Sequence, residues 1–327
     1  MGSKGIGRLI QFGIAKETTR GTSESSASYW LDTMDLDIDE KFNIVTEEQT
    51  EGVIEDSTGS QITQKWLEGS FSAYIDDISI ALILYSLFGT LATTDHSGET
   101  AVYDHTITVE QTAQHQALSL FENDPLSGAD YKHALGTISS LELAFEHGKI
   151  LDYTANFSSK KGATVTNTPA NTTIKRFLPK HCAIKIADAL ADLDGEDAMN
   201  INVANLTIDQ NSEPSFVLGS EEPADFYNKQ FTIEGDLEIN WDAETYRDLV
   251  KNGTYQALQF DLVHTDTIGS ASNPEVRIRL ARCSFTELAR DMSQNEIVKQ
   301  TLTFKAHYSA TDSKMVDALV VNEIASY

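Results

Sequence analysis

Polar and apolar residues alternate with a period of two through residues 71–75, 231–239 and 297–304, the pattern of strands that set one face on a core. Two stretches break that rhythm. Residues 76–90 and 242–254 each open on an aspartate, Asp76 and Asp242, able to accept hydrogen bonds from first-turn N–H groups. Each closes on a glycine, Gly89 and Gly253, free to adopt the left-handed conformation. The pattern predicts half-exposed antiparallel sheets interrupted by two short helices. All six prolines, Pro125, Pro169, Pro179, Pro214, Pro223 and Pro274, fall in expected loops or strand starts, where a missing N–H costs least.

The two helices carry different faces. Tyr246, Leu249 and Val250 give the second a single apolar stripe, so it is expected to cover one sheet and leave Arg247, Asp248 and Lys251 in water. The first is apolar nearly all round: Ile80, Ile83, Leu84, Leu87 and Phe88 cannot all face one sheet, so another domain or another subunit is expected to cover part of it.

These elements belong to a pattern that occurs twice. Residues 36–39 are echoed by 206–209 and residues 68–75 by 234–241, with a helix following in each case. Residues 134–157 then align without a gap on 281–304. Ala134/Ala281, Leu141/Leu288, Ile150/Ile297, Thr154/Thr301 and Phe157/Phe304 are identical, and Gly148 and Asn295 fall at the intervening turn. The period is far too long for a solenoid, so each copy is expected to be a domain with its own core, at residues 31–165 and 166–310. The seam is expected in the polar stretch 160–173.

Three segments fall outside this pattern. The connection from Gly89 to Ala134 is longer than its counterpart from Gly253 to Ala281 and alternates through residues 103–110, which suggests a hairpin (90–133) reaching a neighbour by strand addition. Residues 1–30 have few core-forming positions and are expected to form an N-terminal arm. Residues 311–327 are expected to form a C-terminal arm whose apolar Leu319, Val320 and Val321 dock on a neighbouring domain or ring.

Composition narrows the function. At 327 residues the chain suits two domains, and a net charge of −26 argues against a nucleic-acid grip, which needs clustered Lys and Arg. Residues 78–88 are too few to span a bilayer, and no secretory signal opens the chain, so folding in a cytoplasm is expected. The two cysteines, Cys182 and Cys283, stand at non-matching positions and are expected as buried thiols.

Candidate chemistry is sparse. There is no zinc-ligand spacing, phosphate loop, dinucleotide fingerprint or nucleophile elbow, and the acidic turn at residues 192–197 lacks the EF-hand pattern. Acidic pairs such as Glu47/Glu48 and Asp76/Asp77 have no partner histidine in sequence to mark a catalytic site. The expectation is a non-enzymatic protein with no catalytic residues, metal or cofactor. A β-sandwich adhesin, or a carbohydrate-binding surface protein, is an alternative in a different class.

The opening residues 10–22, with Lys16-Glu17-Thr18 followed by Gly21-Thr22, resemble the N-terminal segment of major tail tube proteins of long-tailed, non-contractile bacteriophages. The strand-helix-Gly-Thr unit and the late strand-turn-strand ending in Phe157 or Phe304 are also similar to that family. The resemblance implies a mainly β fold: two tandem tube-type sandwich or barrel domains, each with one flanking helix. It also implies a structural virion protein, assembled in the host cytoplasm, whose domains join into rings that stack as a hollow tail. Two domains per chain imply trimeric rings with pseudo-sixfold symmetry. The implied partners are further copies of the chain, other tail proteins and the tape measure protein, with DNA only as passing cargo and no membrane. Acidic residues lining the lumen would keep that DNA from sticking.

Overall fold

A computed structural model describes residues 6–125, 129–241, 245–295 and 297–327. The first half contains β1 (Gln11–Lys16), β2 (Tyr29–Leu31), β3 (Thr33–Glu47), β4 (Gly59–Tyr74), α1 (Ser79–Phe88), β5 (Gly89–Asp95), β6 (Tyr103–Val109), β7 (Leu118–Asn123), β8 (Asp130–Glu146), β9 (Asp152–Ser159) and β10 (Ala163–Val165). The second contains β11 (Cys182–Ala187), β12 (Ile201–Asp209), β13 (Glu213–Ser215), β14 (Asp225–Tyr227), β15 (Thr232–Asn240), α2 (Thr245–Asn252), β16 (Gln256–Val263), β17 (Glu275–Asp291), β18 (Lys299–Ala306) and β19 (Val316–Asn322). The fold is mainly β, and every strand pairing is antiparallel.

The duplication is written in the strand order. In the first copy β3-β4-β9-β8-β7-β1 are successive neighbours; in the second the order is β12-β15-β18-β17-β16-β11. Irregularities repeat with it. The register shift at Ile138/Ser140 of β8 recurs at Phe285/Glu287 of β17, and the shift at Leu118/Leu120 of β7 recurs at Gln256/Leu258 of β16. Gly148 and Asn295 both turn with positive φ, 90° and 69°. Gly69 and Gly235 are needed for the same reason: a Cβ on either would collide with the carbonyl oxygen of Asp37 or Asn205 and lie 2.6 Å from Cζ of Phe157 or Phe304. Leu206 stands opposite Gly235 as Ile38 stands opposite Gly69, so the true equivalence lies two residues from the sequence echo of Leu36 with Leu206. A shift of two leaves every side chain on its expected face.

Each copy is a two-layer sandwich. Phe12 of β1 lies 5.1 Å from Phe71 of β4 and 5.6 Å from Phe157 of β9, and Phe260 of β16 lies 6.3 Å from Phe304 of β18. The long strands β8 and β17 run through both layers: their first halves pair with β7 and β16, their second halves with β9 and β18. The copies are fused by strand pairing. Residues 140–146 of β8 pair with residues 203–209 of β12, so one sheet, β3-β4-β9-β8-β12-β15-β18-β17, crosses the whole chain.

Two expected arms are elements of this fold. β1 pairs with β2 and β7, and its Phe12 and Ile14 are fully buried, so residues 11–16 belong to the core because their alternation finds two partner strands. β19 lies between β17 and β6, with Val316, Ala318, Val320 and Val321 buried, so the C-terminal segment docks on its own chain. A hairpin forms in the long connection, but from β5 and β6; the stretch after residue 110 contributes β7 to β1 and β8 instead, and the outer edge of β6 pairs with β19. First-copy material thereby completes a layer of the second copy.

Candidate assembly surfaces

Helix α1 is wedged between the copies. Asp76 starts it: its Oδ1 accepts hydrogen bonds from the N–H groups of Ile78 (2.7 Å) and Ser79 (2.6 Å), and its Oδ2 accepts one from the Ser79 hydroxyl. Burial pushes the Asp76 carboxyl above its ordinary range against the pull of these bonds. Gly89 ends the helix with φ of 95° and lies so close to His115 that a Cβ would meet the ring at 2.7 Å. Ile80, with Leu143 and Phe145 of β8 and Phe260, Leu262, Val276 and Ile278 of the second copy, lines a void of about 10 Å³. Phe145 stacks on Phe260 at 5.4 Å, and Phe88 meets Phe231 edge-on at 5.7 Å.

The residues singled out for assembly therefore lie inside the chain. Ile80, Ile83, Leu84, Leu87 and Phe88 are at most 1% exposed within the single chain, and Ile80 and Phe88 meet second-copy side chains. Val320 and Val321 are equally buried in β19, and Leu319 is half-buried on it beside Val102, Ile268 and Val321. α2 contrasts with α1. Its Tyr246, Leu249 and Val250 are half-buried and pack on the core as expected, while Arg247, Asp248 and Lys251 are exposed; Asp242 lies outside the described residues.

The surfaces that remain open are at the ends and on one face of the cross-chain sheet. Among the described residues, β3 pairs with β4 only, and residues 284–291 of β17 pair with β18 only. The core face of the sheet is formed by Phe71, Tyr153, Phe157, Leu141, Leu143, Leu206, Leu237, Leu302 and Phe304. The register puts their neighbours on the opposite face. There Asp35, Asp37, Asp39, Glu68, Asp152, Glu142, Glu146, Asp209, Glu234, Asp236, Glu238, Glu287 and Asp291 are interleaved with Ser, Thr and Asn. Lys41, Lys299 and Lys305 stand among them and are each engaged with a carboxylate, Asp39, Glu238 (2.8 Å) and Glu234. The face as a whole is strongly negative.

One projecting element was not foreseen. β3 and β4 continue past the sheet as a hairpin whose far end exposes Phe42, Ile44, Val45, Val53, Ile54 and Ile62. Residues 36–39 are part of the duplicated pattern, but nothing in the sequence marks where a strand leaves its sheet. The corresponding loop of the second copy, residues 210–231, folds onto the first copy: Arg20 forks onto Asp225 (2.7 and 2.9 Å), Lys65 pairs with Glu221 (2.7 Å), and Phe216 meets Trp66 at 5.7 Å.

Titratable side chains serve the fold. Glu17 accepts N–H bonds from Gly21 (2.6 Å) and Leu135 (2.6 Å), and burial raises its carboxyl above the usual range. The glutamate of the Lys16-Glu17-Thr18 stretch thus holds the end of the first strand to the loop that follows it and to β8, while the Lys16 ammonium donates to the backbone carbonyl oxygen of Tyr327 (3.0 Å). Burial pushes the Cys182 thiol up to about 12 and the Cys283 thiol higher still, which leaves both as poor nucleophiles. Among the described residues no group of three or more His, Cys, Asp and Glu side chains could hold a metal ion, and no helix is long and apolar enough to cross a membrane.

A duplicated antiparallel sandwich with an acidic sheet face defines a mainly β protein. A family model described as phage tail tube protein matches residues 7–306. The chain belongs to that family, and it is a structural component of a bacteriophage tail. Comparison with curated proteins gives no match.

Proposed function

We propose that three copies of this chain close into a ring of six sandwich domains, and that such rings stack into the hollow tail tube of a long-tailed, non-contractile phage. The observation that carries this reading is the pairing of β8 with β12, by which the sheet of one domain continues into the next. A sheet that crosses from domain to domain and ends on open strands at both sides is the repeating segment of a closed wall. The acidic face lines the lumen in this arrangement. Its carboxylates repel the phosphates of passing DNA and prevent the counterion-release binding that would hold it. The exposed hairpin of β3 and β4 reaches the adjacent ring and buries Ile44, Val53 and Ile54 there. The tape measure protein occupies the lumen before DNA does, and other tail proteins cap the tube.

Electron microscopy of the purified protein tests the reading. Class averages down the tube axis are expected to show six lobes with three-fold symmetry and an open centre. Protein that stays monomeric at high concentration, or rings of six chains, would overturn it.

A further inference from the structure

We infer that the rings close by pairing the second half of β17 with the outer edge of β3 from a neighbouring copy, in the register that β8 and β12 already use inside the chain. This rests on the reading above and specifies its lateral contact. The duplicated topology supplies the template. Within the chain Ser140 stands opposite Asp209, Glu142 opposite Thr207 and Ala144 opposite Asn205. The bulge that repeats at Ile138 and Phe285 carries Glu142 onto Ala289, and the match of Leu206 with Ile38 carries Thr207 onto Asp39. The transposed register sets Glu287 opposite Lys41, Ala289 opposite Asp39 and Asp291 opposite Asp37.

The side chains on these edges fit that use. Leu36 and Ile38 are half-buried, whereas their in-chain counterparts Ala204 and Leu206 are fully buried, and Met292 is 71% exposed where its counterpart Phe145 is 5% exposed. Each is more exposed than the counterpart that a paired strand covers inside the chain. Glu287 and Lys41 are of opposite charge. Asp291 and Asp37 are alike, with Lys299, the cross-strand neighbour of Asp291, beside them.

The occupant is a second copy, because the pairing continues an interface the chain already contains. The helices show why this seam can wait for assembly. Counted back from Gly89 and Gly253, the apolar Ile83, Leu84 and Leu87 of the in-chain seam correspond to Arg247, Asp248 and Lys251. The seam that is never exposed is apolar, and the seam that must first meet water is polar.

The backbone chooses the probe. Gln210 and His147 donate from N–H to the carbonyl oxygens of Ser139 and Asn202, which makes the odd-numbered β8 positions the hydrogen-bonded pairs. Glu142 and Thr207 then form a close, non-hydrogen-bonded pair, and so do Ala289 and Asp39 by transposition; their spacing suits a disulfide. The full-length double variant Asp39→Cys with Ala289→Cys is expected to give covalently linked oligomers on mild oxidation of assembled protein. Asp37→Cys with Ala289→Cys, displaced by two residues, should remain monomeric on denaturing gels. Rings or tubes seen by electron microscopy that fail to cross-link in the first variant, or that cross-link as well in the second, overturn the register while leaving the tube reading intact. Unsubstituted protein that forms no rings overturns the tube reading and this inference with it.

Discussion

Leu84 and Leu249 lie on corresponding helices, and their environments set unequal costs for the same truncation. Leu84 is fully buried in the shared core, in a helix packed against β5, β6 and β8. Leu84→Ala removes the transfer energy of the lost methyl groups and leaves a cavity, a loss of about 3–5 kcal/mol. Leu249 sits half-buried on the outer side of the second copy, where solvent already reaches part of the side chain. Leu249→Ala should cost about 1 kcal/mol, since less apolar area is returned to water and the gap can fill. Strand pairing ties the copies into one unit, so urea unfolding followed by circular dichroism is expected to show a single transition for each protein. With a slope of about 3 kcal/mol per molar urea, the midpoint should fall by about 1–2 M for Leu84→Ala and by about 0.3 M for Leu249→Ala. Equal shifts, or a larger shift for Leu249→Ala, would refute the assignment of α1 to the buried seam.

Removal of residues 316–327 takes four buried apolar side chains from β19 and unpairs β6 and β17, a loss comparable with the about 5–15 kcal/mol that holds a domain folded; aggregated or protease-sensitive protein is expected, and a soluble, cooperatively folded truncation would contradict the placement of that strand. Gly69→Ala and Gly235→Ala should each destabilise by about 1–3 kcal/mol, because both collide with a carbonyl and a phenylalanine ring; urea midpoints that drop for one copy only would break the equivalence of the two sites. His105 is fully buried, with Nδ1 beside the Thr93 hydroxyl (2.9 Å) and Nε2 beside Asn322 Oδ1 (3.0 Å), and burial holds its pKa below the ordinary value. Its contribution to stability is therefore complete above about pH 6.5 and is lost as pH falls below that value; the urea midpoint should drop between pH 7.5 and 5.5 by less in His105→Gln than in the parent, and an identical drop would exclude His105 as a cause.

The duplication was legible because its landmarks are local: the glycine that a phenylalanine covers, the bulge in β8 and β17, and the turn at Gly148 and Asn295 each need a particular residue at a particular place. The all-round apolar helix announced a buried seam, and the structure places that seam inside the chain. Sequence periodicity reports that a face is buried and is silent on what buries it. The same limit explains the two ends of the chain. Residues 11–16 and 316–322 carry strand patterns, but their partners β7, β6 and β17 are distant in sequence, and no local signal distinguishes a strand that pairs at home from one that pairs abroad. The acidic face became assignable only when the register was known, because alternation gives two faces without labels.

The pairing of β6 with β19 has a consequence for how the chain reaches its native state. His105 and its partner Asn322 are 217 positions apart, so the hairpin of the first copy cannot settle into its layer until β19 has been synthesised. Such distant pairing is slow, because loop closure must be achieved before the contact is rewarded. Until then the outer edge of β6 is an unpaired strand in a crowded cell, at risk of capture by another nascent chain. A polypeptide of a self-assembling family thus keeps one of its own edges open during synthesis, and the arrival of β19 acts as the timer that ends that exposure.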